Sequence, residues 1–322
     1  MNATTTWIVG AGGLLGTAVV RALGAPSFRP ASALRWGDPR LDEAIRSSVE
    51  QFGQAVAQAG ADATWQLYWC AGVGVVGTSA ADLARESAAL EQLLRRVHEE
   101  PALKRVRGSI LLASSAGGVH AGDVRQPATE TSVAAPVSDY GRMKLAQERL
   151  LAELTADSPL TSYVVARYSN LYGPGQRLDK PQGLISQLAR CAVFGSPAHI
   201  FVPLDTIRDY LYADDAGALS VDALARLAVA EPGTRVVKIF ASEREASIAS
   251  LLGMFRSMTK RQLRVVLGVR SATALQPKKL TFRSGVWRDQ AQLVRTELVD
   301  GIARVYRQQL RTYQQGRLSR PM

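Results

Sequence analysis

The sequence has few cysteine and histidine residues, and their scarcity excludes several kinds of chemistry. Only two of its 322 residues are cysteines and three are histidines. Cys70 and Cys191 lie far apart and match no disulfide, zinc or redox spacing, so we expect no metal site and a reducing, cytoplasmic environment. No apolar run approaches the roughly 20 residues that a membrane-spanning helix needs. The first residues also lack the pattern of a secretion signal.

The last fifth of the chain is poor in negative charge. Residues 256–322 contain 15 lysines and arginines against 3 acidic residues, whereas residues 1–255 contain 24 against 25. The formal net charge of +11 therefore comes from this basic segment. Such a segment could face a phosphate-bearing small molecule or an anionic membrane. It shows none of the spacings of nucleic-acid recognition modules, so we expect no nucleic-acid partner.

The end of the basic segment has the spacing of an amphipathic helix. Its apolar positions are Ile302, Val305, Tyr306, Leu310 and Tyr313, with Arg304, Arg307 and Arg311 between them. We expect this helix to pack on its own lobe, and contact with an anionic membrane is the alternative.

Short apolar runs alternate with helical patterns over the first 170 residues, which is typical of βαβ units. Strands are predicted at residues 7–10, 33–36, 67–71, 109–113, 163–167 and 235–240, and helices at 82–98 and 140–154. This pattern predicts an α/β fold with a doubly wound parallel sheet and a smaller, mostly helical C-terminal lobe. We assign residues 1–170 and 206–242 to the sheet domain, and residues 171–205 and 243–322 to the lobe.

A glycine-rich turn joins the first predicted strand to a helix. Gly10, Gly13 and Gly16 are spaced three apart, and Leu14 and Leu15 open the helix. Glycines permit a tight turn and close approach of a ligand, and the helix N-terminus offers free N–H groups to a pyrophosphate. The turn therefore predicts a dinucleotide site in a Rossmann-type sheet, and we include Ala71, Gly72 and Tyr168 among its expected cofactor contacts.

The second predicted strand bears on the choice of cofactor. An acidic residue there binds the adenine ribose of NAD, whereas an arginine accommodates the 2′-phosphate of NADP. Arg35 stands near the expected position and Asp38 lies slightly beyond it. We expect NAD or NADP, with a slight preference for NADP. The segment from residue 38 to residue 67 is short for a helix, a strand and another helix, which predicts an abbreviated adenine pocket.

Three polar side chains form the predicted catalytic group. Tyr140 and Lys144 stand four residues apart, on one face of a helix, and Ser115 follows a strand. Hydride transfer to or from a secondary alcohol requires a proton to move with it, and a phenol can supply or accept that proton. We assign Tyr140 as general acid/base, Ser115 as hydroxyl donor to the substrate oxygen, and Lys144 as the cation that favours loss of the phenol proton and holds the nicotinamide ribose. Ser114 is the alternative to Ser115 and a candidate substrate contact.

Beyond these residues the sequence resembles the extended short-chain dehydrogenase/reductase family, in its nucleotide-sugar epimerase/dehydratase group. The resemblance includes residues 166–175, similar to the family's RxxNxYGPGQ segment, and residues 207–215, similar to RDYIHVDD. It implies substrate contacts at Asn170 and Arg208 and a second phosphate-binding arginine at Arg283 or Arg288. His120 is a further substrate candidate, and a loop histidine with an ordinary hydrogen bond is the alternative that we favour. The resemblance also implies a homodimer formed through the two helices near residues 82–98 and 140–154.

The sequence departs from some members of the family. Residues 115–117 are Ser-Ala-Gly, whereas the dehydratases of the family that this sequence resembles have Thr-Asp-Glu at this place. The sequence therefore lacks the acidic pair that eliminates water. The leading hypothesis is a C4-epimerase or 4-ketoreductase acting on a nucleotide sugar. One alternative is a reductase or dehydrogenase of a non-nucleotide alcohol or ketone. A second is a non-catalytic NAD(P)-sensing protein, which would have no need of all three catalytic residues.

Overall fold

The structure is a computed structural model, and it describes residues 3–72, 74–178, 183–268 and 277–321. Ten α-helices lie in these ranges: α1 Leu14–Leu23, α2 Leu41–Gln58, α3 Ala80–Glu99, α4 Pro101–Lys104, α5 Ala116–His120, α6 Asp139–Leu154, α7 Leu184–Phe194, α8 Ala213–Val229, α9 Ile248–Thr259 and α10 Leu298–Gln314. A 3-10 helix spans Arg288–Leu293. The strands of the same ranges are β1 Thr4–Val9, β2 Thr64–Trp69, β3 Gly108–Ser115, β4 Thr161–Tyr168, β5 Asn170–Tyr172, β6 Ala198–Ile200, β7 Ile207–Tyr212, β8 Arg235–Phe240, β9 Glu245–Ser247, β10 Val265–Leu267 and β11 Lys279–Leu280.

Five parallel strands form the central sheet, in the order β1-β2-β3-β4-β8. Side chains alternate along each strand, so Trp7 and Val9 join one buried cluster while Ile8 joins another. The first cluster includes side chains of α2 and α3, and the second includes side chains of α1 and α8. Helices therefore cover both faces of a parallel sheet, and the predicted Rossmann-like α/β class is confirmed.

The predicted strand at residues 33–36 is wrong. These residues form no strand, and the chain after α1 makes a single bridge, between Phe28 and Trp7, before it enters α2. Leu34 and Trp36 are partly buried against the first cluster from an irregular segment, which explains why their apolar spacing resembled a strand. Within the described ranges the sheet thus ends at β1, in agreement with the short adenine side expected from the sequence.

The second lobe combines helices with short strands. One small sheet has the order β11-β7-β5 with β9 paired to β7, and another joins β10 to β6. β7, which we had assigned to the sheet domain, therefore pairs with strands of the lobe. Helices α7, α9 and α10 share the lobe's buried cluster, to which α10 contributes Ile302 and Val305. The predicted packing of this last helix on its own lobe is confirmed. No helix in the described part of the chain is long and apolar enough to cross a membrane.

Candidate active site

The glycine-rich turn lies between the end of β1 and α1. Gly10 has a φ of +86°, and the Gly13 N–H donates to the Gly10 carbonyl at 3.0 Å. A Cβ on Gly16 would collide with that carbonyl oxygen. Gly13 is the N-cap of α1 and makes no side-chain hydrogen bond, so the first N–H groups of the helix have no side-chain acceptor at this cap. Leu14 is half-buried, and Leu15 packs in the core beneath this turn.

A second loop follows β2, with residues 70–72 and 74–78 in the described ranges, and it lies against the glycine turn. A Cβ on Gly10 would stand only 2.6 Å from the Ala71 nitrogen, so the two segments touch at this point. A Cβ on Gly72 would lie 3.0 Å from Oε1 of Glu86. The loop after β2 is therefore enclosed between the glycine turn and a carboxylate on α3.

Ser115 and Tyr140 meet at Gly118. Ser115 ends β3, and its Oγ accepts a hydrogen bond from the Gly118 N–H at 3.0 Å, which leaves the hydroxyl hydrogen available for donation. A Cβ on Gly118 would lie 3.2 Å from Cε1 of Tyr140 and 3.3 Å from Cβ of Ser115. Ser138 caps α6 by accepting from the Gly141 N–H, so Tyr140 is held in the first turn of that helix.

Lys144 lies one turn further along α6 and is buried. Its Nζ stands 5.8 Å from the centre of the Tyr140 ring. It donates to Oε1 of Glu86 and to Oε1 of Gln147, both at 3.1 Å. The structure thus brings Ser115, Tyr140 and Lys144 together, next to the loop that contacts the glycine turn.

This arrangement fits a dinucleotide. The space above Gly12 is open, since a Cβ there would meet no atom within 4 Å, and the N-terminus of α1 favours a pyrophosphate. Lys144 and Tyr140 would hold the nicotinamide ribose, because both lie where the loop after β2 approaches α6. The bound nicotinamide would supply or accept a hydride.

Ser114 and His120 are not placed to contact a substrate, and this corrects their predicted role. Ser114 donates to Oε1 of Glu148 at 2.5 Å, and the fully buried His120 ring accepts from Nη1 of Arg167 at 3.1 Å. Arg167 also pairs with Glu148 through Nη2 at 2.6 Å. Burial and the neighbouring Arg167 charge both lower the pKa of His120. These four side chains form a polar cluster inside the protein, which we call the Glu148 cluster.

Tyr168 is likewise removed from the expected cofactor surface. It is buried in the core, and its hydroxyl shares a 2.6 Å hydrogen bond with Ser220 of α8. Its strand is nevertheless informative, because Tyr168 pairs in register with Ser115. Burial raises the pKa of Tyr168, and such a phenol has a packing role here.

Arg35 and Asp38 lie on the irregular segment between α1 and α2. Arg35 is exposed rather than held at a strand end. Asp38 accepts from the backbone N–H of Arg40 at 2.9 Å and so organises the start of α2. The two predicted ribose contacts therefore differ, since one is exposed and the other is engaged locally.

The predicted substrate residues Asn170 and Arg208 lie on neighbouring strands, β5 and β7. The Asn170 amide donates to the Asp209 carbonyl at 2.8 Å, and Nη1 of Arg208 donates to the Ile207 carbonyl at 2.8 Å. Burial lowers the pKa of Arg208. The Asp209 carboxylate accepts from Ser242 and the Arg244 backbone, which ties the end of β8 to this pair of strands.

Arg283 and Arg288 are both exposed and both line a cavity of about 430 Å³ beyond the end of β8. Lys238 lines the same cavity from β8, where it donates to Oγ of Ser284 at 2.8 Å. Burial lowers the pKa of Lys238 to about 8. The lining includes one acidic residue, Glu243, so the cavity carries a positive charge suited to an anion.

Sequence reasoning missed Glu86, which contacts Lys144. Its signal was present: Leu83, Glu86, Leu90, Leu94 and Val97 recur at intervals of three and four, so the carboxylate occupies the apolar face of α3. The apolar stripes of α3 and α6 that suggested a dimer contribute Leu90, Leu94 and Leu151 to the protein's own core.

Comparison with known proteins identifies the family and agrees with the fold. The sequence model of the family described as NAD dependent epimerase/dehydratase matches residues 6–237. A curated relative, dTDP-4-dehydro-6-deoxyglucose reductase of Escherichia coli, is 33% identical over 106 residues. That match spans 33% of this chain and 33% of the reductase, about a third of its length.

Solved structures resemble the whole chain at lower identity. UDP-glucose 4-epimerase from Stenotrophomonas maltophila, with bound NAD and formylated UDP-arabinopyranose, is 18% identical with a TM-score of 0.76, covering 98% of this chain and 99% of its own. RMD from Pseudomonas aeruginosa complexed with NADPH is 20% identical with a TM-score of 0.74, covering 95% and 98%. At such identities these likenesses establish the fold.

Proposed function

Because the chain belongs to the NAD dependent epimerase/dehydratase family, we propose that it reduces the 4-ketone of a nucleotide sugar, with 4-epimerisation as the second candidate. The meeting of Ser115, Tyr140 and Lys144 beside the glycine turn carries this proposal. The E. coli relative is a reductase of a dTDP-4-keto sugar, and one structural neighbour is a UDP-sugar 4-epimerase.

In the reductive direction the Ser115 hydroxyl donates to the ketone oxygen and polarises the carbonyl. Tyr140 then gives its phenolic proton to that oxygen as the carbon receives the hydride, so the ketone becomes a secondary alcohol. Lys144 stabilises the resulting phenolate by its charge, and solvent restores the proton. Epimerisation uses the same residues in reverse and then forward, with the ketone turned over between the two transfers.

Positive residues of the second lobe would hold the diphosphate of the substrate. Arg208 is half-buried on β7, and its planar guanidinium suits a bidentate contact with phosphate. Arg283 and Arg288 are the candidates for the second contact, and Asn170 for a contact with the sugar or phosphate. The positive cavity that Arg283 and Arg288 line supports attraction of a dianionic substrate through the basic segment.

We propose NADP rather than NAD as the cofactor. Asp38, the acidic residue nearest the expected ribose position, is engaged with the Arg40 backbone, whereas Arg35 is exposed. Because the described sheet ends at β1, the adenosine half has few strand residues to retain it. A cofactor that is bound less tightly and exchanges at each turnover suits a reductase better than an epimerase.

The test is to supply the purified protein with a UDP- or dTDP-4-keto sugar and either NADPH or NADH. We expect consumption of NADPH that depends on both substrates. Turnover of a UDP-sugar by the protein without any added cofactor would instead select the epimerase. No binding of any UDP-, GDP- or dTDP-sugar in calorimetry would overturn the proposal in favour of a non-nucleotide alcohol or ketone.

The proposed preference for NADPH is tested by a substitution of Arg35. We expect Arg35→Ala to raise the KM for NADPH by about tenfold, the effect of losing one charge-assisted contact, with little change for NADH. Arg95→Ala is the matched control, since Arg95 pairs with Glu91 on the exposed side of α3. Equal effects of the two variants on NADPH would contradict the role of Arg35.

A homodimer and a cytoplasmic location complete the proposal. The family resemblance supports the dimer, which sedimentation velocity of the purified chain would test. A monomeric species at micromolar concentration would overturn it.

A further inference from the structure

Glu86 is a buried carboxylate inside the candidate active site. It lies on α3 and is 1% exposed. Its Oε1 accepts from the Lys144 ammonium at 3.1 Å, and its Oε2 accepts from the Gly74 N–H at 2.9 Å. A single side chain therefore joins Lys144 to the loop after β2.

That loop also contacts the glycine turn, so Glu86 connects two parts of the cofactor surface. Gly72 has a φ of +155°, and a Cβ there would lie 3.0 Å from the Glu86 carboxylate. The next contact is Ala71 against Gly10. The carboxylate thus packs against the same loop that contacts the glycine turn.

The hydrogen bonds of Lys144 leave one donor for a ligand. An ammonium has three N–H donors, and Glu86 and Gln147 accept two of them. The third has no hydrogen-bond partner among the residues that the structure describes. A lysine side chain has four rotatable bonds, so two fixed acceptors are what determine where this third N–H points.

We propose that Glu86 is a positioning residue: it fixes the Lys144 ammonium with one N–H directed to the cofactor ribose and ties that position to the loop after β2. This inference rests on the proposed function, since it needs a bound dinucleotide. A carboxylate is required because both of its partners are donors. Glutamine in its place would set an N–H₂ group against either the ammonium or the Gly74 N–H.

A double-mutant cycle tests this inference, with NADPH affinity as the main measurement. We expect Glu86→Gln to weaken NADPH binding and lower kcat, each by about 10- to 100-fold, while the KM of the sugar changes little. In a Lys144→Met background the same Glu86→Gln change should have no further effect on NADPH affinity, because Glu86 acts through Lys144. Equal losses in the two backgrounds would overturn the inference.

The matched control is Glu148→Gln, which neutralises another buried and paired carboxylate, on α6 itself, without touching Lys144. We expect this variant to lower the melting temperature and to leave NADPH affinity unchanged. If Glu86→Gln does not fold, the test is the comparison of Lys144→Met with the double variant. The inference requires these two proteins to bind NADPH with equal affinity. Wild-type protein that binds no NADPH or NADH would refute the proposed function, whereas normal wild-type binding with an unaffected Glu86→Gln would refute only the role of Glu86.

Discussion

Two buried ion pairs lie one helical turn apart on α6, and they differ in how much of their hydrogen-bonding capacity is used. Arg167 donates to Glu148 through Nε and Nη2 and to His120 through Nη1, and Glu148 also accepts from Ser114. The pair of Lys144 with Glu86 retains an ammonium N–H without a partner in the described chain. The Arg167–Glu148 pair is hydrogen-bonded entirely to other groups of the protein, whereas the Lys144–Glu86 pair has one donor left for a ligand.

The difference shows what burial of a charge can achieve. Desolvation opposes both pairs, and each persists because its partners meet at hydrogen-bond distance. In the Glu148 cluster the charges of Arg167 and Glu148 are taken up by contacts within the protein, so its contribution lies in holding β3, β4 and α6 together. Around Lys144 the same kind of contact fixes a cation beside Tyr140, which is useful for proton transfer.

The largest expected effect comes from Tyr140→Phe, which removes only the phenolic hydroxyl of the residue next to Lys144 on α6. We expect a loss in kcat of about 1,000-fold, because the proton donor is gone. The melting temperature should stay close to that of the wild type, since Phe keeps the ring packed near Gly118 and Gly74. Steady-state kinetics and calorimetry measure the two effects. An unchanged kcat in this variant would contradict the role of Tyr140 as the proton donor.

Arg167→Met should break the buried ion pair between Arg167 and Glu148. It leaves the Glu148 carboxylate buried without its cation, so we expect the free energy of unfolding to fall by about 3 kcal/mol. Urea denaturation measures this loss, and kcat per folded molecule should not change. Arg95→Met, which breaks an exposed pair with Glu91, should lose less than about 1 kcal/mol. Similar losses in the two variants would remove the distinction drawn for the buried pair.

Ser114 and Ser115 are adjacent on β3 and sharpen the comparison. Ser114 belongs to the Glu148 cluster, and Ser115 lies beside Tyr140 in the candidate active site. Ser115→Ala should lower kcat by about tenfold through loss of the donor to the substrate oxygen. Ser114→Ala should instead lower the free energy of unfolding by about 1 kcal/mol, since it removes a hydrogen bond to Glu148. Kinetics and denaturation of both variants should show opposite patterns, and a larger kinetic defect in Ser114→Ala would reverse the assignment.

The smallest expected effect is a pH dependence of stability within the Glu148 cluster. His120 has a lowered pKa in the folded chain, so between that value and its ordinary 6.5 the unfolded chain binds more protons. The free energy of unfolding should therefore fall as the pH drops below about 6.5, by at most about 1.4 kcal/mol per pH unit. His120→Gln should flatten this slope between pH 5 and 7, and an unchanged slope would assign it to other groups.

The sequence was sufficient for the features that depend on local spacing. The glycine turn, the one-turn separation of Tyr140 and Lys144 and the serine at a strand end all follow from neighbouring residues, and they lie together in the structure. The strand predicted at residues 33–36 failed because apolar alternation does not distinguish a strand from a loop that packs Leu34 and Trp36 on the core.

Residues that act through distant partners were less accessible. Ser114 is predicted as a substrate contact from its place at a strand end, and His120 from the family resemblance, but their partners, Glu148 and Arg167, come from α6 and β4. Glu86 could have been recognised as a charge on an apolar face, yet its pairing with Lys144 joins residues 58 positions apart. Such pairings depend on the tertiary fold rather than on spacing.

The end of the sheet at β1 affects how freely cofactor preference can change. Residues 25–40 carry Arg35 and Asp38 outside any strand, and the segment is held by one bridge at Phe28 and by the packing of Phe28, Leu34 and Trp36 on the core. In a strand, an insertion or deletion would shift the register of every following side chain. Here a replacement segment between Gly24 and the start of α2 that keeps the apolar residues packed on the core would leave the hydrogen-bond ladder of the sheet intact. Under the proposed roles of Arg35 and Asp38, substitutions in this segment could therefore change the preference between NAD and NADP without changing the strands of the sheet.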